Sequence, residues 1–524
     1  MLNNMTPPKP SSKIVTVSRR RTVLSIVLLG FICLGTYFNS LPHGFLMDDF
    51  CMFRMHAQWP LARFLQVSPH TFKTALYFRP LTHAVNYLAA RLFAANPLPY
   101  TLVNLSLFWA AGAVLYFVLL ELFRRWELAF LTAAFFGVHP INGVLVNYKS
   151  TTGFSLMTVL ALLSLWLMAG SRSGDSRWRF GLSHLFFGAA LLCHEVMVMF
   201  PVYLTAALLL TRPQRGRDIL KQTAGFWALA IVYAVFRAGI MGLAGVVTQT
   251  AQGFGLTGLS FLAALGRLFT GYLARLVHLQ DIVLIWDTPL SGSWDWFWAG
   301  SIGIIYCGGA WLVWRWRQRP PLALGLIWLL AGFIPVGLAG LTRSDFGFYL
   351  EPHWLIFSSA GFFIILADVV VGLRRWFPPR IWLAFVGCLL FFQILQSNHY
   401  NFLWGNQKRY CRYWRTVAPR NYWVNFWLGM SYLKDREYGP ARECFDTIYD
   451  QGIRHWDTLG NLAVAEFHLG HLDRAQELFL EVRAAGPREA KTYWYLGEIC
   501  RRRGKPEEAR IFFERAGQRE GETP

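Results

Sequence analysis

Residues 98–121 read LPYTLVNLSLFWAAGAVLYFVLLE, an apolar run whose single charge stands at its last position and which Arg124 and Arg125 soon follow. Such a run reads as a helix crossing a bilayer, because about 20 apolar residues rising 1.5 Å each span a hydrocarbon layer roughly 30 Å thick. Comparable runs lie at 22–40, 127–141, 152–170, 179–193, 195–210, 222–246, 296–314, 321–340, 350–372 and 380–397. The expectation is therefore an all-α, polytopic membrane protein with about eleven transmembrane helices. With 54% hydrophobic and 16% aromatic residues, the 524-residue chain is too apolar for an ordinary soluble protein.

Basic residues set the expected orientation, since Lys and Arg beside helix ends stay cytoplasmic. Lys13 and Arg19 to Arg21 precede the first run. Arg124 and Arg125, Arg172 to Arg179, Arg212 to Lys221, Arg315 to Arg319, and Arg374 to Arg380 then fall in every second connection. This places the tail 1–21 in the cytoplasm and the C-terminus on the periplasmic or luminal side, with a bacterial inner membrane the expected setting. The formal charge of +20 is largely accounted for by this topology, so no nucleic-acid partner is implied. No small-residue cleavage site follows the first run, which reads as a retained anchor. Residues 76–95 and 258–285 would each reverse the topology if they spanned, so they are expected to be in-plane or re-entrant on the outer face. The eight cysteines show neither CxxC nor CxxH spacing, which argues against zinc and against a disulfide framework.

The first outer loop, 41–97, opens with LPHGFLMDDFC (41–51), where Asp48 and Asp49 stand side by side among Phe45, Leu46, Met47 and Phe50. Desolvation and mutual repulsion both oppose full ionisation of such a pair, so it calls for a cation, a metal or a substrate to face. A solvated turn built on Pro42 and Gly44 is the plain alternative.

After Asn398 the composition turns soluble and a period appears. Gly429, Ala441 and Phe445 recur as Ala463, Ala475 and Phe479, then as Gly497, Ala509 and Phe513, each step being 34 residues. That is the period of the tetratricopeptide repeat, in which small residues let two antiparallel helices approach while Phe and Leu fill the seam. Residues 419–524 thus read as three repeats forming a short superhelix that binds a protein partner and carries no catalytic group.

Several elements of 22–400 occur together in a recognisable order: the acidic pair, FRPL at Phe78 to Leu81, HPI at His139 to Ile141, LLCHE at Leu191 to Glu195, Arg237 late in a helix, and LEPHWLIFSSAGF at Leu350 to Phe362. With the repeats, this set resembles the polytopic GT-C glycosyltransferases that carry tetratricopeptide repeats, the transmembrane O-mannosyltransferase-like family and its bacterial relatives. Departures from that pattern fall at Val144, Thr152, His194 and Pro352.

The resemblance implies transfer of a sugar from a polyprenyl-phosphate donor to a hydroxyl of an acceptor protein or glycan on the outer face, with inversion at the anomeric carbon. A carboxylate must take the hydroxyl proton, and Asp48 is the expected base. Asp49 would position the acceptor, raise its neighbour's proton affinity or share a divalent cation with it. The leaving phosphate needs cations, so Arg79, Lys149, Arg237, Arg343 and His353 join His139, Glu195 and Glu351 as expected substrate-binding residues. The competing expectation is a non-catalytic membrane scaffold that presents a tetratricopeptide adaptor.

Overall fold

The computed structural model describes residues 18–65, 78–171, 177–212, 216–241, 258–288, 292, 294–341, 348–485 and 490–520. Among the described residues the chain is all-α apart from one pair of three-residue strands. In that pair Trp286, Asp287 and Thr288 face Leu350, Tyr349 and Phe348 in antiparallel register.

Among the described residues, nine helices are long and apolar enough to cross a membrane: Arg19–Ser40, Pro97–Phe123, Lys149–Gly170, Gly216–Gly239, Gly258–His278, Asp295–Arg315, Pro320–Gly337, Pro352–Trp376 and Pro379–Trp404. This is fewer than the eleven expected, and the reasons are local. Residues 127–141 belong to a broken element, Trp126–Val138 followed by Pro140–Asn147 at 59°, because Pro140 lacks the N–H that would continue the helix. The expected spans at 179–193 and 195–210 are the shorter helices Arg177–Cys193 and Phe200–Thr211, separated by a 3₁₀ turn at Glu195–Met199.

Of the stretch 76–95, the described residues hold the helix Pro80–Phe93, 14 residues long and too short to span. Gly258–His278 has the length and apolarity of a span, which the in-plane expectation did not foresee. Yet Gly266 and Arg267 touch Trp298 and Asp295 at the start of the next helix, while Arg275 lies over Trp286 and the Leu276 carbonyl meets His139. Its first half thus packs on the start of Asp295–Arg315, and its last turn lies beside the strand pair and the His139 bend.

One apolar core runs through the helices, with Phe108, Phe135, Phe136, Phe187, Phe200, Tyr203 and Trp328 fully buried. Close packing depends on small residues in places. A Cβ at Gly153 would stand 2.4 Å from the Thr82 hydroxyl, and that hydroxyl in turn donates to the Cys193 carbonyl at 2.9 Å. This contact clamps Pro80–Phe93 against the helices beginning at Thr152 and ending at Cys193.

The C-terminal helices pair as Tyr422–Lys434 with Tyr438–Tyr449, Trp456–His468 with Leu472–Ala485, and Ala490–Arg502 with Pro506–Glu520. Their first members start at 422, 456 and 490, the 34-residue step expected. A Cβ at Gly429 would lie 2.6 Å from the Phe445 ring and one at Gly497 2.8 Å from Phe513, which is why small and aromatic residues alternate there. A further helix, Gln407–Val417, buries Tyr410, Cys411 and Trp414 completely and shares the membrane-side core with Val424, Leu428 and Cys444 of the first pair.

Candidate functional site

Asp48 and Asp49 open the helix Asp48–Gln58, directly after Met47, whose φ of 47° is unusual for a side chain with a Cβ. The turn delivers the two acids to opposite environments. Asp48 is exposed, whereas Asp49 is 2% exposed and accepts three hydrogen bonds: from Leu46 N at 3.1 Å, Ser150 N at 2.8 Å and the Ser150 hydroxyl at 2.7 Å. Burial pushes the Asp49 carboxyl above the usual carboxylate range, opposed by the Lys149 charge and by these hydrogen bonds. The space beside it measures about 20 Å³, room for a water-sized group and no sugar.

The rest of the loop is stapled to the segment after the His139 bend. Lys149 Nζ donates to the Gly44 and Asn147 carbonyls at 3.0 and 3.1 Å. His43 Nδ1 donates to Asn147 Oδ1 at 3.1 Å, and Asn147 Nδ2 donates to Asn401 Oδ1 at 2.7 Å. Asn401 continues the chain to the Thr36 carbonyl and Asn39. Lys149 therefore acts as a loop clamp in this structure. Burial, then the nearby Lys149 charge, lowers the His43 pKa to about 4.

A second group forms around Glu195. Arg79 grips it with both edges, Nε to Oε2 at 3.0 Å and Nη2 to Oε1 at 2.8 Å, and Arg237 Nη2 stands 3.6 Å from Oε1. The Phe154 ring lies between His194 and His353, with ring centroids 4.2 and 4.6 Å away. His194 Nδ1 accepts from Val196 N, and His353 Nε2 donates to Glu351 at 3.0 Å. Among the described residues, the remaining nitrogens, His194 Nε2 and His353 Nδ1, are buried without a hydrogen-bond partner. The first, on a ring whose Nδ1 accepts, is an unmet N–H donor, and the second, on a ring that donates through Nε2, is an unmet acceptor; the free His194 donor beside two arginines is a setting for an anionic ligand with several acceptor oxygens.

Tyr148 joins the two groups, for Asp48, Asp49 and Glu351 all act on its buried hydroxyl, which faces Asp48 without a hydrogen bond of good geometry. The structure thus brings together Asp48, Asp49, Arg79, Lys149, Glu195, Arg237, Glu351 and His353. His139 serves the bend instead: Nδ1 accepts from Ile141 N, and Nε2 donates to Leu276 O. Arg343 lies outside the described residues. A divalent cation shared by Asp48 and Asp49 does not fit, since Asp49 is occupied by three donors and, among the described residues, no three His, Cys, Asp or Glu side chains converge as ligands.

Sequence reasoning passed over His43, Asn147, Ser150, Phe154 and Gln407. The signal for two of them, Asn147 and Ser150, was the polar interruption NYKS (147–150) in an otherwise apolar stretch.

Gln407 carries the link to the C-terminal helices. Its Oε1 accepts from Met47 N at 2.9 Å, while its Nε2 donates to Ser431 Oγ at 3.0 Å. Asp457, at the start of the second helix pair, is close enough to Cys51 to act on its thiol electrostatically. Tyr349 of the strand pair packs edge-on against Trp423, with centroids 6.4 Å apart. Residues 461–522 match the tetratricopeptide repeat family. No match to the chain is found among curated proteins. The tetratricopeptide repeats, a protein-binding module, therefore sit over the face from which Asp48 projects, with the first repeat tied by Gln407 to the backbone of the acidic loop.

Proposed function

We propose that the chain is an integral membrane glycosyltransferase of the GT-C type, moving a sugar from a polyprenyl-phosphate donor to an acceptor hydroxyl presented by a protein or glycan. The observation that carries this reading is the convergence of exposed Asp48 with the Arg79, Arg237, His194 and His353 cluster on the face covered by the tetratricopeptide repeats.

In this reading the donor phosphate lies against the arginines and the orphaned His194 Nε2–H, which would satisfy its oxygens. Asp48 takes the proton of the acceptor hydroxyl as the new C–O bond forms at the anomeric carbon. The bond from that carbon to the phosphate oxygen breaks from the opposite side, so the configuration inverts and polyprenyl phosphate leaves. Arg79 and Arg237 stabilise the charge that develops on the leaving group. Asp49 holds the loop that aims Asp48. The N-terminus is cytoplasmic, and the repeats lie on the periplasmic side of a bacterial inner membrane, where they present the acceptor.

The bidentate hold of Glu195 on Arg79 favours a second reading, a membrane scaffold for the repeats, because a phosphate would have to share that guanidinium. The test is transfer by the purified full chain in nanodiscs from synthetic polyprenyl-phosphate sugars to peptide and glycan acceptors. Product with any donor supports the enzyme. A well-folded chain that transfers nothing, with the repeats still binding a protein partner, supports the scaffold.

A further inference from the structure

The end of the helical bundle opposite Asp48 holds a cavity of about 690 Å³, within the range of small-molecule sites. It lies where Pro97–Phe123 and Phe200–Thr211 end, Pro320–Leu341 begins and Ile356–Leu373 gives way to the turn Arg374–Trp376. Its lining is divided. Arg125, Arg319, Arg375 and Asp368 supply charge, while Phe123 and Trp376 are among its apolar residues.

The acids near this cavity are engaged. Asp368 pairs with Arg125, Glu121 with Arg124 and Glu127 with Arg374. Arg319 and Arg375 are exposed and, among the described residues, have no carboxylate within ion-pair distance. The cavity therefore carries two guanidinium charges in excess, next to apolar walls and to Trp376, which is 70% exposed and stacks with Arg375 at 5.2 Å. Arginines that merely snorkel to a membrane surface need no cleft between helix ends. A forked, permanently charged guanidinium matches phosphate oxygens, and basic pockets between helix ends are where anionic headgroups lodge.

We propose that this cavity is a binding site for a phosphate headgroup, supplied by an anionic phospholipid of the surrounding leaflet. Arg319 and Arg375 hold the phosphate, Arg125 is oriented by Asp368 at the rim, and the acyl chains leave past Phe123. The site lies across the bundle from Asp48 and does not depend on the proposed sugar transfer.

The experiment is native mass spectrometry of the detergent-purified full chain titrated with phosphatidylglycerol, phosphatidylcholine or inorganic phosphate. Wild type is expected to hold phosphatidylglycerol well above phosphatidylcholine, with inorganic phosphate at equal concentration failing to displace it. The Arg319→Gln, Arg375→Gln double variant should lose about 30-fold in affinity, two charges at about 1 kcal/mol each. Arg217→Gln, Lys221→Gln removes the same charge away from the cavity and should stay within about threefold of wild type. Both cavity arginines are exposed, so the variant is expected to fold, and its melting temperature without lipid verifies that. Unchanged phosphatidylglycerol affinity in the cavity variant, or equal binding of phosphatidylcholine by wild type, overturns the site. Displacement by inorganic phosphate overturns the lipid as its source.

Discussion

Arg79 and Glu195 stand 116 positions apart in the chain and meet through two hydrogen bonds of 2.8 and 3.0 Å, with side chains 18% and 28% exposed. Arg79 leads the short helix Pro80–Phe93, and Glu195 begins the turn after Arg177–Cys193, so the pair locks the outer loop onto the helical bundle. Removing one partner leaves a charge with little water around it. Glu195→Gln should therefore cost about 1–3 kcal/mol, less than a fully buried pair because both side chains keep some solvent. In a double-mutant cycle with Arg79→Gln, thermal melts in detergent should give a coupling of about 1 kcal/mol or more. Additive losses would mean that the contact does not hold the loop.

His43 gives the loop a pH dependence whose sign can be worked out. Its pKa is about 4 in the fold against 6.5 when unfolded, so between these values the unfolded chain binds more protons. The stability it contributes is complete above about pH 6.5 and lost as pH falls toward 4, on the order of 2–3 kcal/mol in all. Asp49, raised by burial, acts in the opposite sense, since its protonation favours the fold at low pH. Melting temperature measured from pH 7.5 to 4.5 should fall more steeply for wild type than for His43→Gln. Parallel curves would remove His43 as the titrating group.

The repeats should not be fully independent of the membrane helices. The first pair shares its core with Gln407–Val417, whose Tyr410, Cys411 and Trp414 are completely buried. A fragment of residues 406–524 should therefore melt cooperatively and at a higher temperature than residues 419–524, as followed by circular dichroism. Equal melting of both fragments would make Gln407–Val417 a linker and weaken the tie from Ser431 through Gln407 to Met47.

Much of this architecture was legible from pattern. The 34-residue register at Gly429, Ala463 and Gly497 needs only local sequence, because Gly429 and Gly497 each face an aromatic sixteen positions later in their own hairpins and Ala463 has Phe479 at the same interval. The long apolar helices were equally plain. Helix lengths were harder: the runs 179–193 and 195–210 separate at the right place, but each reads as a span, while the fold makes them short helices joined by a turn that places Glu195 against Arg79. The acidic pair was visible, but not its division into one exposed and one buried carboxylate. That division depends on Ser150, a hundred residues away, and on the backbone of Met47. The family resemblance likewise made His139 a binding candidate, whereas its two nitrogens cap the bend at Pro140 and reach Leu276.

The unequal settings of Asp48 and Asp49 yield the most direct test of the proposed chemistry. Asp48→Asn keeps the size of an exposed side chain and removes its basicity, so it should leave melting unchanged while reducing sugar transfer from a polyprenyl-phosphate donor by about 10²- to 10⁴-fold. Asp49→Asn should instead lower the melting temperature, because a buried acceptor of three hydrogen bonds becomes a group that must also place two N–H donors. The decisive measurement is the turnover of Asp48→Asn against wild type in nanodiscs at saturating donor, with folding checked on the same samples. Loss of turnover at unchanged stability is the outcome the mechanism requires, and full turnover in folded Asp48→Asn would contradict it.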